Sequence, residues 1–266
     1  MKNIHFLIVF LSNVAVLSAQ DAFQLAPPLL KYPSVFFTKE AKIDLVFAEP
    51  NTQIHYTLNG EEPTENAQRY THPLSITKNF TTVKARVFGK NYLPSDVVQA
   101  TFIKEGLPIK SAETTLPNPK YKGSGAKTLI DNEGGKTTVS SPTWLGFQTD
   151  TVDVILNLHK KEKFKKVLIG LLRDYGSWIF LPEKIAIYAF DDKKNYFQLL
   201  DNQIFNQSKD IKGSFYTPSV LSLKKSIKTD KIKIQLHVVK QIPDWHVGKG
   251  NRSWIFIDEI KVYGDE

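Results

Sequence analysis

Ile242-Pro-Asp-Trp-His-Val-Gly-Lys-Gly-Asn-Arg-Ser-Trp-Ile-Phe-Ile-Asp-Glu-Ile-Lys-Val262 begins as a loop rich in aromatic, glycine and basic residues and runs straight into a strand. The period of two in its second half recurs along the chain. Ile54, Tyr56 and Leu58 alternate with His55 and Thr57, and Val83, Ala85 and Val87 with Lys84 and Arg86. Val152, Val154, Leu156 and Leu158 come next, then Ile185, Ile187 and Ala189, then Ile232, Ile234, Leu236 and Val238. Alternation with β-branched and aromatic enrichment predicts half-buried strands. Beyond the first residues no long segment combines a helical period with capping residues. The expected fold class is all-β, most simply as packed β-sandwiches.

The loop half of the same stretch carries the chemistry. Trp245, His246, Arg252 and Trp254 are side chains that grip a flat polar ligand: an indole face stacks on the C–H face of a sugar or on a base, while imidazole and guanidinium donate to hydroxyls. Trp254, at a strand start, also suits core packing. His246 serves equally as a donor or as a turn cap.

The first residues predict an export signal over 1–20. Lys2 supplies the positive start, Ile4 to Leu11 the apolar centre and Val16-Leu-Ser-Ala-Gln20 the small-residue cleavage region. Its apolar run of about 14 residues falls short of the roughly 20 that span a bilayer, so no integral membrane span is expected. A retained anchor is the rival reading. The expected location is periplasmic, cell-surface or extracellular. The chain holds no cysteine, which excludes a disulfide framework and a lipid on an N-terminal cysteine. Its stability must come from its cores. The formal charge of +8 falls to +7 without Lys2, and the lysines are scattered, as in Lys160-Lys-Glu-Lys-Phe-Lys-Lys166 and Lys224-Lys225. None belongs to a nucleic-acid-binding motif, so no nucleic-acid partner is expected; acidic glycans stay open as partners.

Glu105-Gly-Leu-Pro-Ile-Lys-Ser-Ala-Glu-Thr-Thr-Leu-Pro-Asn-Pro-Lys120 holds three prolines and no periodicity, which predicts an extended linker over 105–122. It separates modules at 27–104 and 123–266. Neither has room for a (β/α)₈ barrel of about 250 residues.

In the first module, Ile54-His-Tyr-Thr-Leu-Asn-Gly-Glu-Glu-Pro-Thr64 runs into Asn59-Gly60, a pair that tolerates positive φ and makes a tight turn. Pro63 then leaves the ladder because it has no N–H. With the strand Val83-Lys-Ala, this resembles the small immunoglobulin-like β-sandwich at the C-terminal side of bacterial chitobiases and β-hexosaminidases. Asn59 stands where that family has aspartate. The resemblance implies an accessory role beside carbohydrate-active enzymes, without catalysis.

In the second module, Thr128-Leu-Ile-Asp-Asn-Glu-Gly-Gly135, Trp144-Leu-Gly-Phe147, Trp178-Ile-Phe-Leu-Pro182 and the Trp245–Tyr263 segment come in one order. Together they resemble the galactose-binding-like jelly roll of discoidin, or coagulation-factor C, domains, closest to those appended to bacterial β-hexosaminidases. Asn132 replaces the usual glycine. The resemblance implies sugar-binding loops at one end of the sandwich. Arg173 matches a family arginine that donates to sugar hydroxyls; Tyr175 and Trp178 share its loop as stacking platforms, with a core role for Trp178 equally open. It also implies a structural calcium ion near Asp131 and Glu259, completed by loop carbonyls. The other reading is a turn-forming Asp131 and a Glu259 paired with a lysine.

No catalytic constellation accompanies these motifs. The histidines His5, His55, His72, His159, His237 and His246 show no zinc spacing, and neither a nucleophile elbow nor a phosphate-cradling loop is present. Asp191-Asp192 and Asp258-Glu259 are sequence neighbours whose side chains should diverge on a strand, unlike the facing carboxylates of a glycosidase. The expected function is therefore that of an exported, non-enzymatic glycan-binding protein, with a glycan or glycoconjugate and a separate carbohydrate-active enzyme as partners. The rivals are a cell-surface structural or protein-interaction subunit, and a glycoside hydrolase accessory with residual hydrolase activity.

Overall fold

The computed structural model describes residues 23–209 and 213–265; the export signal expected over 1–20 lies outside them. The chain is all-β. Its first module has eight strands: β1 (Leu29–Lys31), β2 (Phe36–Phe37), β3 (Ala41–Val46), β4 (Thr52–Thr57), β5 (Gln68–Arg69), β6 (Leu74–Ile76), β7 (Phe80–Gly89) and β8 (Val98–Lys104). They form a three-stranded sheet, β1-β3-β6, and a five-stranded one, β2-β8-β7-β4-β5. Ile43, Leu45, Leu74 and Ile76 from the first share a core with Tyr56, Val83, Ala85 and Phe102 from the second. Each fully buried aliphatic contributes roughly 1.5–3 kcal/mol, which matters in a chain without cross-links. Gly60 takes the positive φ that the Asn-Gly turn requires, at +80°.

Alternation misplaces one residue of β4 and one just past its end. His55, expected to face outward, is buried: its ring lies edge-on to Phe88 at 5.4 Å and its Nδ1–H donates to the Ala67 carbonyl at 2.9 Å. Leu58, expected inward, falls beyond the strand and is exposed.

The second module comprises β9 (Ile109–Thr114), β10 (Leu145–Phe147), β11 (Thr151–Asp174), β12 (Lys184–Asp191), β13 (Tyr196–Ile204), β14 (Ser214–Tyr216), β15 (Ser219–His237) and β16 (Ile255–Tyr263). The path runs β10-β16-β11-β15-β12-β13, with β9 and β14 also on β11. β11 serves two layers: its residues 151–157 pair with 231–237 of β15, and 166–169 pair with 219–222. Register breaks between Asn157 and Glu162 and between Phe164 and Lys166 lie at the change of layer. Val154 and Leu156 from one half of β11 therefore share a core with Val167 and Ile169 from the other, and with Ile185, Ile234 and Ile257.

The stretch 105–122, expected as an extended linker, is largely built into this module. β9 lies inside it and pairs antiparallel with β11, Ala112 opposite Leu156 and Thr114 opposite Val154. Pro108 precedes the strand and Pro117 follows it, so neither interrupts the ladder. The modules also pack on each other. Val35, Phe36 and Ile103 bury against Leu168 and Tyr263, and the Tyr263 hydroxyl donates to the Lys104 carbonyl at 2.7 Å.

A bulge in β16 decides where its carboxylates point. Ile169 pairs with Ile260 but Leu171 with Ile257, so Asp258 and Glu259 together oppose Gly170. Regular alternation predicts that the two side chains diverge. The extra residue instead turns both toward the loop 131–135, where Asn132 N–H donates to Glu259 Oε2 and Gly135 N–H to Asp258 Oδ2, each at 2.8 Å.

Candidate functional site

Two loops meet at one edge of the second module. The first leaves β11 at Asp174, whose carboxylate accepts from the Ser177 hydroxyl at 2.9 Å and caps a single 3-10 turn, Tyr175–Ser177. Trp178 closes that turn, its N–H donating to the Tyr175 carbonyl at 2.9 Å. The second loop spans 242–254. Phe180 N–H donates to the Trp254 carbonyl at 3.0 Å and Trp254 N–H to the Trp178 carbonyl at 2.9 Å, so the loops are laced together.

His246 pins the same junction. A carbonyl oxygen has no proton, so Nε2 donates to the Tyr175 carbonyl at 2.9 Å while Nδ1 accepts from Gly248 N–H at 3.0 Å. Both ring nitrogens are thereby used. The histidine positions the loops and has no free donor for a ligand.

The other expected ligand residues separate into distinct roles. Trp178 and Trp245 are open, 36% and 39% exposed, and beside them Val247 is 93% exposed. Tyr175, expected as a stacking platform, is buried: its ring lies 4.7 Å from Phe180 and 5.2 Å, edge-on, from Trp245, so it forms the floor under the second indole. Arg173 is still inside β11, not in the loop, and its guanidinium lies 5.3 Å above Phe215 of β14. Burial lowers its pKa. Arg252 is exposed on the 242–254 loop and pairs with Asp150 at 2.9 Å. Exposed pairs of this kind are worth about 0–1 kcal/mol, so its guanidinium can exchange Asp150 for a ligand at little cost. Trp254 is half-buried, edge-on to Tyr121 at 5.4 Å. Trp144 is fully buried.

Trp178 is also strained. Its φ of 62° and ψ of 26° lie in the left-handed region, which costs a residue with a Cβ about 1–2 kcal/mol. Strain of this kind persists where surrounding structure enforces it, and it clusters at functional positions. Here the Asp174 cap and the Trp254 ladder bond enforce it, and the indole is aimed at solvent and at Gly248. A Cβ on Gly248 would lie 2.9 Å from the Trp178 ring.

Val247, Gly248 and Tyr121 also stand at this edge, unannounced by residue type. The glycines of His246-Val-Gly-Lys-Gly250 were a usable signal for Gly248. Tyr121 carried none, because a 3-10 turn from the expected linker brings it there.

Asp131 and Glu259, expected around calcium, each accept hydrogen bonds from protein groups. Asp131 Oδ1 accepts from Glu133 N–H at 2.9 Å in a local turn. Glu259 Oε1 accepts from the Lys261 ammonium at 2.8 Å. Burial raises the Glu259 pKa, while the Lys261 charge pulls it back down. Asp258 is pushed up to about 8, chiefly by burial. Both carboxylates are fully buried, which closes them to a substrate.

Residues 43–102 match the family described as Fn3 associated. No curated protein matches the chain. Similar solved structures include a pectin binding carbohydrate binding module, 16% identical over 60% of this chain and 94% of that one, TM-score 0.36. A CBM32 module from Clostridium perfringens, in complex with GalNAc-β-1,3-galactose, is 17% identical over 57% of this chain and 94% of that one, TM-score 0.39. The family 32 module of C. perfringens NanJ, in complex with galactose, is 17% identical over 57% and 91%, TM-score 0.39.

Proposed function

We propose that the chain is an exported, non-catalytic glycan-binding protein that holds sugar on the edge formed by Trp178 and Trp245. The observation that carries this reading is the strained, solvent-facing indole of Trp178, laced to the loop that presents a second open indole. Two apolar platforms with carboxylate, ammonium and guanidinium groups on the same loop (Asp244, Lys249, Arg252) suit a ligand with C–H faces and hydroxyl edges. Export rests on the Lys2 and Ile4–Leu11 pattern, and a separate carbohydrate-active enzyme is the natural partner for a binding module without an active site. A shallow open edge should bind at about millimolar to high micromolar Kd, roughly −4 to −6 kcal/mol.

The test is titration with galactose, N-acetylgalactosamine, N-acetylglucosamine and their oligomers, read by indole fluorescence. Saturable binding, lost in Trp178→Ala and Trp245→Ala, supports the reading. No response at millimolar ligand overturns it. The exposure of Val247 favours a second reading, a protein partner docking on the same edge. Capture of a partner that free sugar does not displace would select it.

A further inference from the structure

Lys261 is only 5% exposed, a rare condition for lysine unless its charge is paired. Its ammonium donates to Glu259 Oε1 and to Asn132 Oδ1, and lies 5.4 Å from the ring centre of Phe36 in the first module. We propose that this ammonium is a tethered cation standing where a calcium ion would otherwise be expected, and that it joins the loop 131–135, the bulge and the first module without metal.

Glu259 and Lys261 are two apart on β16 and so share a face. The bulge turns that face toward the loop. Once there, each oxygen of the Glu259 carboxylate has a donor, Oε1 the Lys261 ammonium and Oε2 the Asn132 amide. Asn132 supports this with an uncommon backbone. Its φ is 62°, where glycine would be strain-free and asparagine is the best-tolerated alternative. Glycine would supply no side chain. Asn132 supplies Oδ1 to the ammonium, and its Nδ2 donates to Glu105 Oε1 at 3.5 Å.

A calcium ion needs six to eight oxygens at about 2.3–2.6 Å. To enter, it would have to displace a positive charge that is covalently anchored and cannot diffuse away, and would meet its repulsion throughout. The arrangement also explains why the ammonium faces Phe36: a cation over a ring face contributes further when desolvated, and here that ring belongs to the other module.

The experiment is thermal unfolding of the full chain in EDTA and in millimolar calcium. Wild type should be unchanged to within about 1 °C, whereas a well-occupied calcium site would raise Tm by several degrees. A calcium-dependent rise in wild type, or stoichiometric calcium uptake, overturns the proposal. Lys261→Met should lower Tm by about 10 °C by leaving Glu259 buried and unpaired. Lys261→Met combined with Glu259→Gln should recover at least half of that loss. A double variant no more stable than the single one would show that Lys261 acts through packing alone and also overturns it. If the single variant fails to fold, the wild-type titration and the double variant still decide.

Discussion

The carbonyl of Trp178 accepts the Trp254 N–H at 2.9 Å, yet the two indoles take opposite roles. Trp178 stands in water, whereas Trp254 lies against Tyr121 and Phe256. One backbone bond thus ties a half-buried anchor to an open platform and holds the platform in a left-handed conformation.

That strain separates two substitutions. Trp178→Gly should be as stable as Trp178→Ala or more so, by about 1 kcal/mol, because glycine enters the left-handed region freely. Both should lose glycan binding. Urea midpoints and sugar titrations of the two variants check this; a Gly variant less stable than the Ala variant contradicts it.

Replacing His246 should loosen the edge without removing either indole. His246→Phe leaves the Gly248 N–H without its acceptor and takes from the Tyr175 carbonyl one of two donors, the Trp178 N–H being the other, an expected loss of about 1–3 kcal/mol. Faster amide hydrogen exchange at 174–178 and weaker sugar binding are the readouts. Unaltered exchange would show that the backbone ladder alone carries the junction.

The loop around Asp258 depends on a missing side chain. A Cβ on Gly134 would lie 1.9 Å from Asp258 Oδ2, on backbone with φ of +152°. Gly134→Ala should therefore destabilise by more than about 3 kcal/mol, through clash and strain together. Calorimetric Tm measures it directly, and a variant within about 1 °C of wild type would contradict the geometry.

His237 makes stability pH-dependent on the acid side. Burial, followed by the Lys184 charge, lowers its pKa below the ordinary value of 6.5. The folded chain then favours the neutral ring, so the unfolded chain binds more protons and stability falls as pH drops below 6.5. His237→Gln should flatten that decline, seen as the difference between the two unfolding midpoints from neutral pH downward. Parallel profiles for wild type and variant would rule it out.

Strand positions were legible wherever one face is apolar and the other wet. Val83-Lys-Ala-Arg-Val87 and Val152–Leu158 declare their inner faces because burial of alternate side chains is itself the stabilising force. His55 escaped this pattern, since its polarity is satisfied by the Ala67 carbonyl, in the bend just before β5. The prolines around β9 suggested a linker, but a proline weakens a strand only inside its ladder, and these lie outside it. Trp178 and Trp245 were visible as candidates by residue type. Tyr175 and His246 were equally visible, and their reassignment to floor and staple depended on which groups stood opposite them.

Residue order alone was enough for an all-β chain with indoles on its loops, because those properties follow from local periodicity and side-chain chemistry. Three-dimensional packing settled which indoles meet water, that Asp258 and Glu259 share a face, and that Lys261 reaches Glu259 and Phe36. Each of these depends on a bulge, a left-handed turn or a contact between distant segments, and a one-residue shift of register suffices to reverse the direction in which a side chain points.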